Sequence, residues 1–472
     1  MKHYPHQPDN RLKTLVGKYE NLSQNQEDCT LTKSELLLLT DHFEFERFPD
    51  RGLEVINYGI SKFKKSPELL VKKTRLYIYN FGKNEAIRFL NQSLDSCLKP
   101  FQVDLLRLEI LIAQGQIEKA LSVIAALKFR YENTGNILSE VFYLEALAYE
   151  KLGHFDKSFE ALRKVLWLNP KHQDAIGKIW MATELSRKSK EGILLNKFLL
   201  KKEHYSAISW FNIAHAYYSE REYEKAIEAF EFCIIINEDF VSAYLDLAEV
   251  CMLLGMFQTA TQNLKIAFER FEIVELDRII QFAESLIMSG EFRVAREPLQ
   301  AGLAIDSADP DLLFLLGETY RLEGKYTLAI QNYESALEMD YERDDIHKSL
   351  GKIYFTIAEF DKAQLHFEIA ISIDPYHFGY RSELASFYLN IGEVEKCKKI
   401  LAESVEELPD VQLVYHHAAI LISMGNEKEG LGVFEKALKE DFSLRNEIYE
   451  FASELVGHPK VEAIINYYKG EQ

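Results

Sequence analysis

Across residues 207–240 the apolar positions fall into two short stripes with a polar break between them. Trp210, Ile213, Ala214 and Tyr217 recur at i, i+3, i+4 and i+7, which is one face of an amphipathic helix. Ser219 to Glu222 interrupt the stripe, and Tyr223, Ala226, Ile227, Phe230 and Cys233 form a second one. Two short helices joined by so tight a turn can bury facing stripes only by lying antiparallel, so the segment predicts a helical hairpin. Ala214 and Ala226 mark the crossing, because a large side chain there would hold the two backbones apart.

The same grammar returns in 311–340, with Leu313, Gly317, Tyr320, Gly324, Tyr326, Ala329, Tyr333 and Ala336. It returns again in 344–375, with Gly351, Tyr354, Phe360, Ala363, Phe367, Ala370 and Pro375. One register of small residues runs through Gly52, Ala86, Ala120, Ser158, Gly192, Ala226, Ala260, Ala295, Ala329, Ala363, Cys397, Gly430 and Ala463. Of its twelve intervals, eight are 34 residues, two are 33, one is 35 and one is 38. A compact catalytic domain has no reason to keep such a beat, whereas a stack of two-helix units does. The 472 residues are therefore read as one array, in which each repeat leans on its neighbours, rather than as three ordinary domains.

These residues resemble the tetratricopeptide repeat (TPR). That family carries a large residue at repeat position 4, small ones at 8, 20 and 27, aromatics at 11 and 24, and often Pro at 32. Here position 4 holds Phe142, Trp210 and Tyr244; position 8 holds Ala146, Ala214, Ala248, Gly317, Gly351 and Ala385. Position 11 holds Tyr149, Tyr217, Tyr320, Tyr354 and Tyr388; position 24 holds Phe230, Tyr333, Phe367 and Phe434; position 32 holds Pro170, Pro375 and Pro409. The resemblance covers roughly 33–468 and is similar to long, all-repeat bacterial arrays without a catalytic module. It implies an all-α, right-handed superhelical solenoid of about thirteen TPR-like helix pairs.

The expected organisation is a flexible tail over 1–32, N-terminal repeats over 33–131, central repeats over 132–271, C-terminal repeats over 272–442, and a partial, capping unit over 443–472. Repeats 33–66, 67–100, 172–205 and 411–442 match the pattern least. In 172–205, Trp180 takes a small-residue position, and Gly192 opposite it is read as compensating the volume. Four extra residues near KFRYENTGNI (128–137) read as a loop on their Asn-Thr-Gly-Asn run. One extra residue falls near 270–277, and Pro298 then sits inside a helix, where a kink is expected. These two irregular places are candidate joints between subdomains.

Charge and chemistry narrow the function. The formal charge of −19 repels a phosphate backbone, so a nucleic-acid-binding helical-repeat protein is the disfavoured alternative. Cys29, Cys97, Cys233, Cys251 and Cys397 have no metal-ligand spacing and read as buried hydrophobes in a reducing, cytoplasmic compartment. No apolar run has the length of a signal peptide or a membrane span, so no membrane insertion is expected. Phosphate loops, nucleophile elbows and paired-histidine or paired-cysteine metal motifs are missing from the sequence. His416 and His417 are adjacent and would point about 100° apart on a helix, which rules out a shared metal. No catalytic residue, cofactor or metal is expected.

What remains is binding. TPR geometry implies that first-helix positions 2, 5, 6, 9, 12 and 13 face a concave groove. The residues this places there are Asn212, His215, Asp246, Glu249, Gln281, Glu284, Phe314, Glu318, Arg321, Lys348 and Lys352. The mixture is acidic with apolar gaps, and suits an extended peptide or helix with basic and apolar side chains. A chaperone-type carboxylate clamp of Lys, Asn and Arg is not reproduced. Asn212 is followed by Asp246 and Gln281, and the basic spot at Lys348 and Lys352 by Glu383. The expected function is a non-catalytic protein-interaction scaffold, with a regulatory or assembly factor of a larger complex as the variant reading.

Overall fold

The computed structural model describes residues 10–23, 31–93, 98–408 and 410–471. Among these residues there are 27 α-helices and no strand. Twelve helix pairs follow one another from Lys33 to Glu440, most with a first helix of 13 residues and a second of 14. In the pair Ala207–Ser219 and Tyr223–Ile236, the Ser206 hydroxyl accepts from the Ser209 backbone N–H and caps the first helix. The turn reverses through Arg221 at φ 59°, while Glu222 N–H donates to the Tyr217 carbonyl at 2.9 Å. The same left-handed turn position holds Gly in other pairs, for example Gly255 and Gly324, because a Cβ is disfavoured there.

Packing explains the small-residue register. A Cβ added to Gly317 would lie 2.5 Å from the ring of Tyr333, and one added to Gly351 would lie 2.8 Å from that of Phe367. Position 8 is small because the aromatic of position 24 already fills that space. Tyr333 and Phe367 are buried, and with Ala329, Leu350 and Ala363 they form part of a core that runs from pair to pair.

Contacts divide the chain into two bodies, meeting between Glu272 and Ile273 in the five-residue loop that carries the extra residue. Each body is an all-α solenoid of stacked hairpins. The helix Phe292–Ile305 runs unbroken with Pro298 inside it.

Three expectations need correction. Residues 10–23, placed in the flexible tail, form the helix Asn10–Ser23, whose Leu12, Leu15 and Tyr19 are buried. Leu15 and Tyr19 pack on Leu36, Leu39 and Phe43, covering the open face of the first pair. Residues 1–9 and 24–30 of that stretch, with Cys29, and also Cys97 and Pro409, lie outside the described residues. The four extra residues near 128–137 are not a longer loop: the first helix there, Gly135–Lys151, has 17 residues instead of 13. Four residues make about one turn of 3.6, so the apolar face keeps its direction. Gly192 does not compensate Trp180; a Cβ on it would meet Thr183 Cγ2 at 2.4 Å, while Trp180 lies on the ring of His215 with centroids 4.8 Å apart. After the twelfth pair, the short helix Glu447–Phe451 lies between two 3₁₀ turns and the helix Pro459–Glu471 follows.

Candidate functional site

First helices of successive repeats lie against one another: Pro67–Leu76 on Pro100–Ala113, and Gln173–Leu185 on Ala207–Ser219, in the N-terminal body. In the C-terminal body Leu276–Met288 packs on Pro310–Leu322 in the same way. One set of the side-chain contacts between successive repeats keeps a fixed spacing. Hydrogen bonds or ion pairs join Asp41 to Lys72, His215 to Asp246 (3.1 Å), Tyr218 to Glu249 (3.5 Å), Lys352 to Glu383 (2.5 Å), His416 to Glu447 (3.2 Å) and Ser423 to Glu454 (2.7 Å). Every pair is 31 residues apart, one repeat of 34 less the three residues of a helical step. In three of them, Asp41–Lys72, His215–Asp246 and Lys352–Glu383, position 9 of one first helix meets position 6 of the next.

In the N-terminal body this geometry removes Asn212 from the candidate surface. Asn212 is 1% exposed; its amide donates to the Ile176 carbonyl at 2.9 Å and to Asn196 Oδ1 at 3.2 Å. At position 6 it is buried against the preceding repeat rather than turned to a ligand. His215 is held between Asp246 and the rings of Trp180, Phe211 and Phe230. Glu249 is exposed, with the Tyr218 hydroxyl beside it.

In the C-terminal body Glu318 is mostly internal. Arg321 binds it through two nitrogens, with Nε at 2.9 Å and Nη2 at 2.6 Å, and the Tyr333 hydroxyl donates to it. Burial pushes the Glu318 carboxyl up, but the bonds from Arg321 and Tyr333 outweigh it and leave the group below the usual glutamate range. Phe314 is half-buried against Tyr333, with ring centroids 5.8 Å apart. Gln281 accepts from Arg278 at 3.0 Å. Lys348 lies over the ring of Tyr380, and Lys352 is tied to Glu383. Glu284 differs from the rest: it is exposed, and partial burial together with the neighbouring Asp311 charge raises its carboxyl above the ordinary value. Asp311 itself is bound by Arg343 at 2.8 Å.

His416 accepts or donates between Ser382 and Glu447 and stacks on Phe451 at 4.4 Å, so it ties repeats together. Among the described residues no group of three or more His, Cys, Asp or Glu could hold a metal ion. No helix among them is long and apolar enough to cross a membrane. The cross-repeat pairs were the feature that single-helix patterns did not reveal, although the spacing of 31 was present in the sequence.

Stacked helical hairpins with adjoining first helices define a helical-repeat scaffold. Models of the tetratricopeptide repeat match residues 139–172 and 207–240, and a TPR repeat model matches 317–357. The chain thus carries tetratricopeptide repeats over these three segments. It is similar to DnaJ homolog subfamily C member 3 of Rattus norvegicus, at 28% identity over 207 residues and 40% of each chain. The Homo sapiens protein of the same name is 28% identical over 215 residues, 41% of each chain. The chain thus spans about 40% of the length of the curated relatives it matches. Among solved structures it is similar to the C-terminal part of a TPR repeat-containing protein from Cytophaga hutchinsonii, with 11% identity, a TM-score of 0.40, and coverage of 59% of this chain and 99% of that one. In general terms such a chain is a protein-interaction scaffold, and proteins of this family are typically non-catalytic.

Proposed function

We propose that the chain is a non-catalytic scaffold that holds a peptide or helix of a partner protein against the adjoining first helices, on a surface favouring basic and apolar side chains. Most polar groups there are already matched to one another, so they select register rather than ligand. The observation that carries the reading is Glu284. It is an exposed carboxylate raised first by partial burial and then by the neighbouring Asp311 charge, and no cation is bonded to it among the described residues. A Lys or Arg of a partner would relieve that repulsion, with the half-buried Phe314 of the next first helix in the same body offering apolar surface. Such a contact on a surface rim acts mainly on encounter and specificity.

The test compares peptide-array binding by the full chain and by Glu284→Lys, with Glu440→Lys on an exposed second-helix face as control. Peptides rich in Lys, Arg and apolar residues should lose about tenfold in affinity with Glu284→Lys, as expected for an interface charge reversal. Identical array profiles for the three proteins would overturn the reading.

A further inference from the structure

The strongest unassigned surface lies on the second helices of the N-terminal body. Among the described residues there, successive second helices do not pack as closely as successive first helices do. Between the second helices Phe155–Leu168 and Ser189–Lys202, and over the start of Gly135–Lys151, a cleft of about 510 Å³ opens. Its walls are apolar, built largely from Phe142, Trp167, Leu194 and Phe198. Trp167 is 68% exposed and Leu194 69%, and Trp167 stacks on Phe198 with centroids 5.0 Å apart at 16°. Large apolar side chains left in water at a concave site mark an interaction surface.

The stretch of chain that carries the second-helix walls runs against the charge of the chain. Residues 157–202 contain eleven Lys and Arg against four Asp and Glu, a local net of +7 in a chain of −19. Lys164 lies 5.3 Å from the ring centre of Phe142, and Lys202 5.8 Å from that of Phe198; neither has an ion-pair partner among the described residues. Arg163 also lines the cleft, bound to Glu160, whose second oxygen is taken by Lys188. Glu191 is the carboxylate in the lining.

We infer that this cleft is a second docking site, taking an acidic amphipathic helix of a partner protein. Its bulky apolar residues would enter between Trp167 and Leu194, and its carboxylates would meet Lys164 and Lys202. Charge complementarity selects the acidic partner. The concavity selects protruding side chains over a flat bilayer, and the exposed rim of Trp167 and Leu194 calls for more cover than a small apolar molecule supplies. The site is lined mainly by second helices of the N-terminal body, whereas Glu284 lies in the C-terminal body, so neither reading depends on the other.

The experiment pans the full chain against displayed amphipathic helices with Leu or Phe fixed at i, i+3, i+4 and i+7, and with Glu, Gln or Lys randomised on the polar face. Glu should be enriched on that face. The selected peptides should bind about tenfold or more weakly to Trp167→Glu, as for a central aromatic anchor. Lys164→Glu should weaken binding and flatten its salt dependence, while the exposed Lys436→Glu in the other body should change nothing. Circular dichroism and melting of each variant check folding, which the exposure of Trp167 favours; Lys164→Glu gives an independent reading. No enrichment, enrichment of Lys, or equal affinity for Trp167→Glu would overturn the proposal. So would partitioning onto phosphatidylserine vesicles, or a dimer in sedimentation, that is lost in Trp167→Glu; these would assign the cleft to a membrane or to a second copy.

Discussion

Replacing Gly351 by Ala is expected to destabilise its repeat, although Gly to Ala in a helix interior ordinarily stabilises by up to about 1 kcal/mol. Gly351 lies within the buried face of the helix Asp344–Thr356. A Cβ there would sit 2.8 Å from Cδ1 and Cε1 of Phe367 and 3.0 Å from its Cζ. Carbon atoms in ordinary contact stand roughly 3.5–4.0 Å apart, so the ring must retreat by about an ångström. It has nowhere to go: Phe367 is 2% exposed and faces Phe387 with ring centroids 5.8 Å apart. Overpacking of this kind costs about 1–3 kcal/mol, which leaves a net loss near 1 kcal/mol after the helical gain. Gly432 is the matched control. It lies in the helix Glu427–Glu440, exposed, with nothing within 4 Å of an added Cβ. Only the helical gain applies there, so Gly432→Ala should stabilise by about 0.5–1 kcal/mol. A two-body array does not unfold in one two-state step, so hydrogen exchange of the peptides covering each helix is the right readout. Opposite signs are expected, and Phe367→Leu should absorb part of the Gly351→Ala loss. Raised protection at both glycines would refute the steric origin of the 34-residue register.

Ala358 occupies the left-handed turn of the same repeat at φ 61°, exposed, so Ala358→Gly should raise local exchange protection by about 1 kcal/mol; lower protection would count against the turn assignment. His347 and His366 share an Nδ1 to Nδ1 hydrogen bond of 2.9 Å, and burial lowers both, holding His366 near about 4. The unfolded imidazoles protonate near 6.5, so their contribution is intact above about pH 6.5 and is lost as pH falls towards the folded value. The denaturant midpoint of the C-terminal body should therefore drop between pH 6.5 and 4, and less so in His366→Phe. A drop of equal size in both proteins would show that other groups carry the acid sensitivity.

The repeat was legible because sterics force it: wherever a ring such as Tyr333 or Phe367 crosses, the facing position must be small, and that requirement leaves its mark in the sequence. The helix Asn10–Ser23 was not legible, because one short stripe between polar flanks has no repeat to confirm it. The Asn-Thr-Gly-Asn run misled for a local reason. Thr134 and Gly135 stand at the start of the long first helix, where turn-forming residues and helix entry look alike. The candidate surface was half legible. Repeat positions placed His215, Asp246 and Glu249 on neighbouring first helices, but burial against the preceding repeat hid Asn212 from any single-helix argument. The cleft at Trp167 escaped because outward aromatics on second helices obey no family rule.

The cross-repeat pairs change what the net charge means. An exposed ion pair contributes only about 0–1 kcal/mol, so the pairs spaced by 31 residues add little stability singly. A slip of one residue between neighbouring first helices, however, would break each of them along the row. They act on register, and in doing so they consume carboxylates that a count of −19 would assign to a partner: Asp246 is bound to His215, and Glu383 to Lys352. Binding preference then depends on charges left without an internal match. On the first helices of the C-terminal body Glu284 is such a charge; on the second helices of the N-terminal body Lys164 and Lys202 near Trp167 are others. The two proposed surfaces would favour opposite partners, which makes the bulk acidity of the chain a poor guide to either proposal.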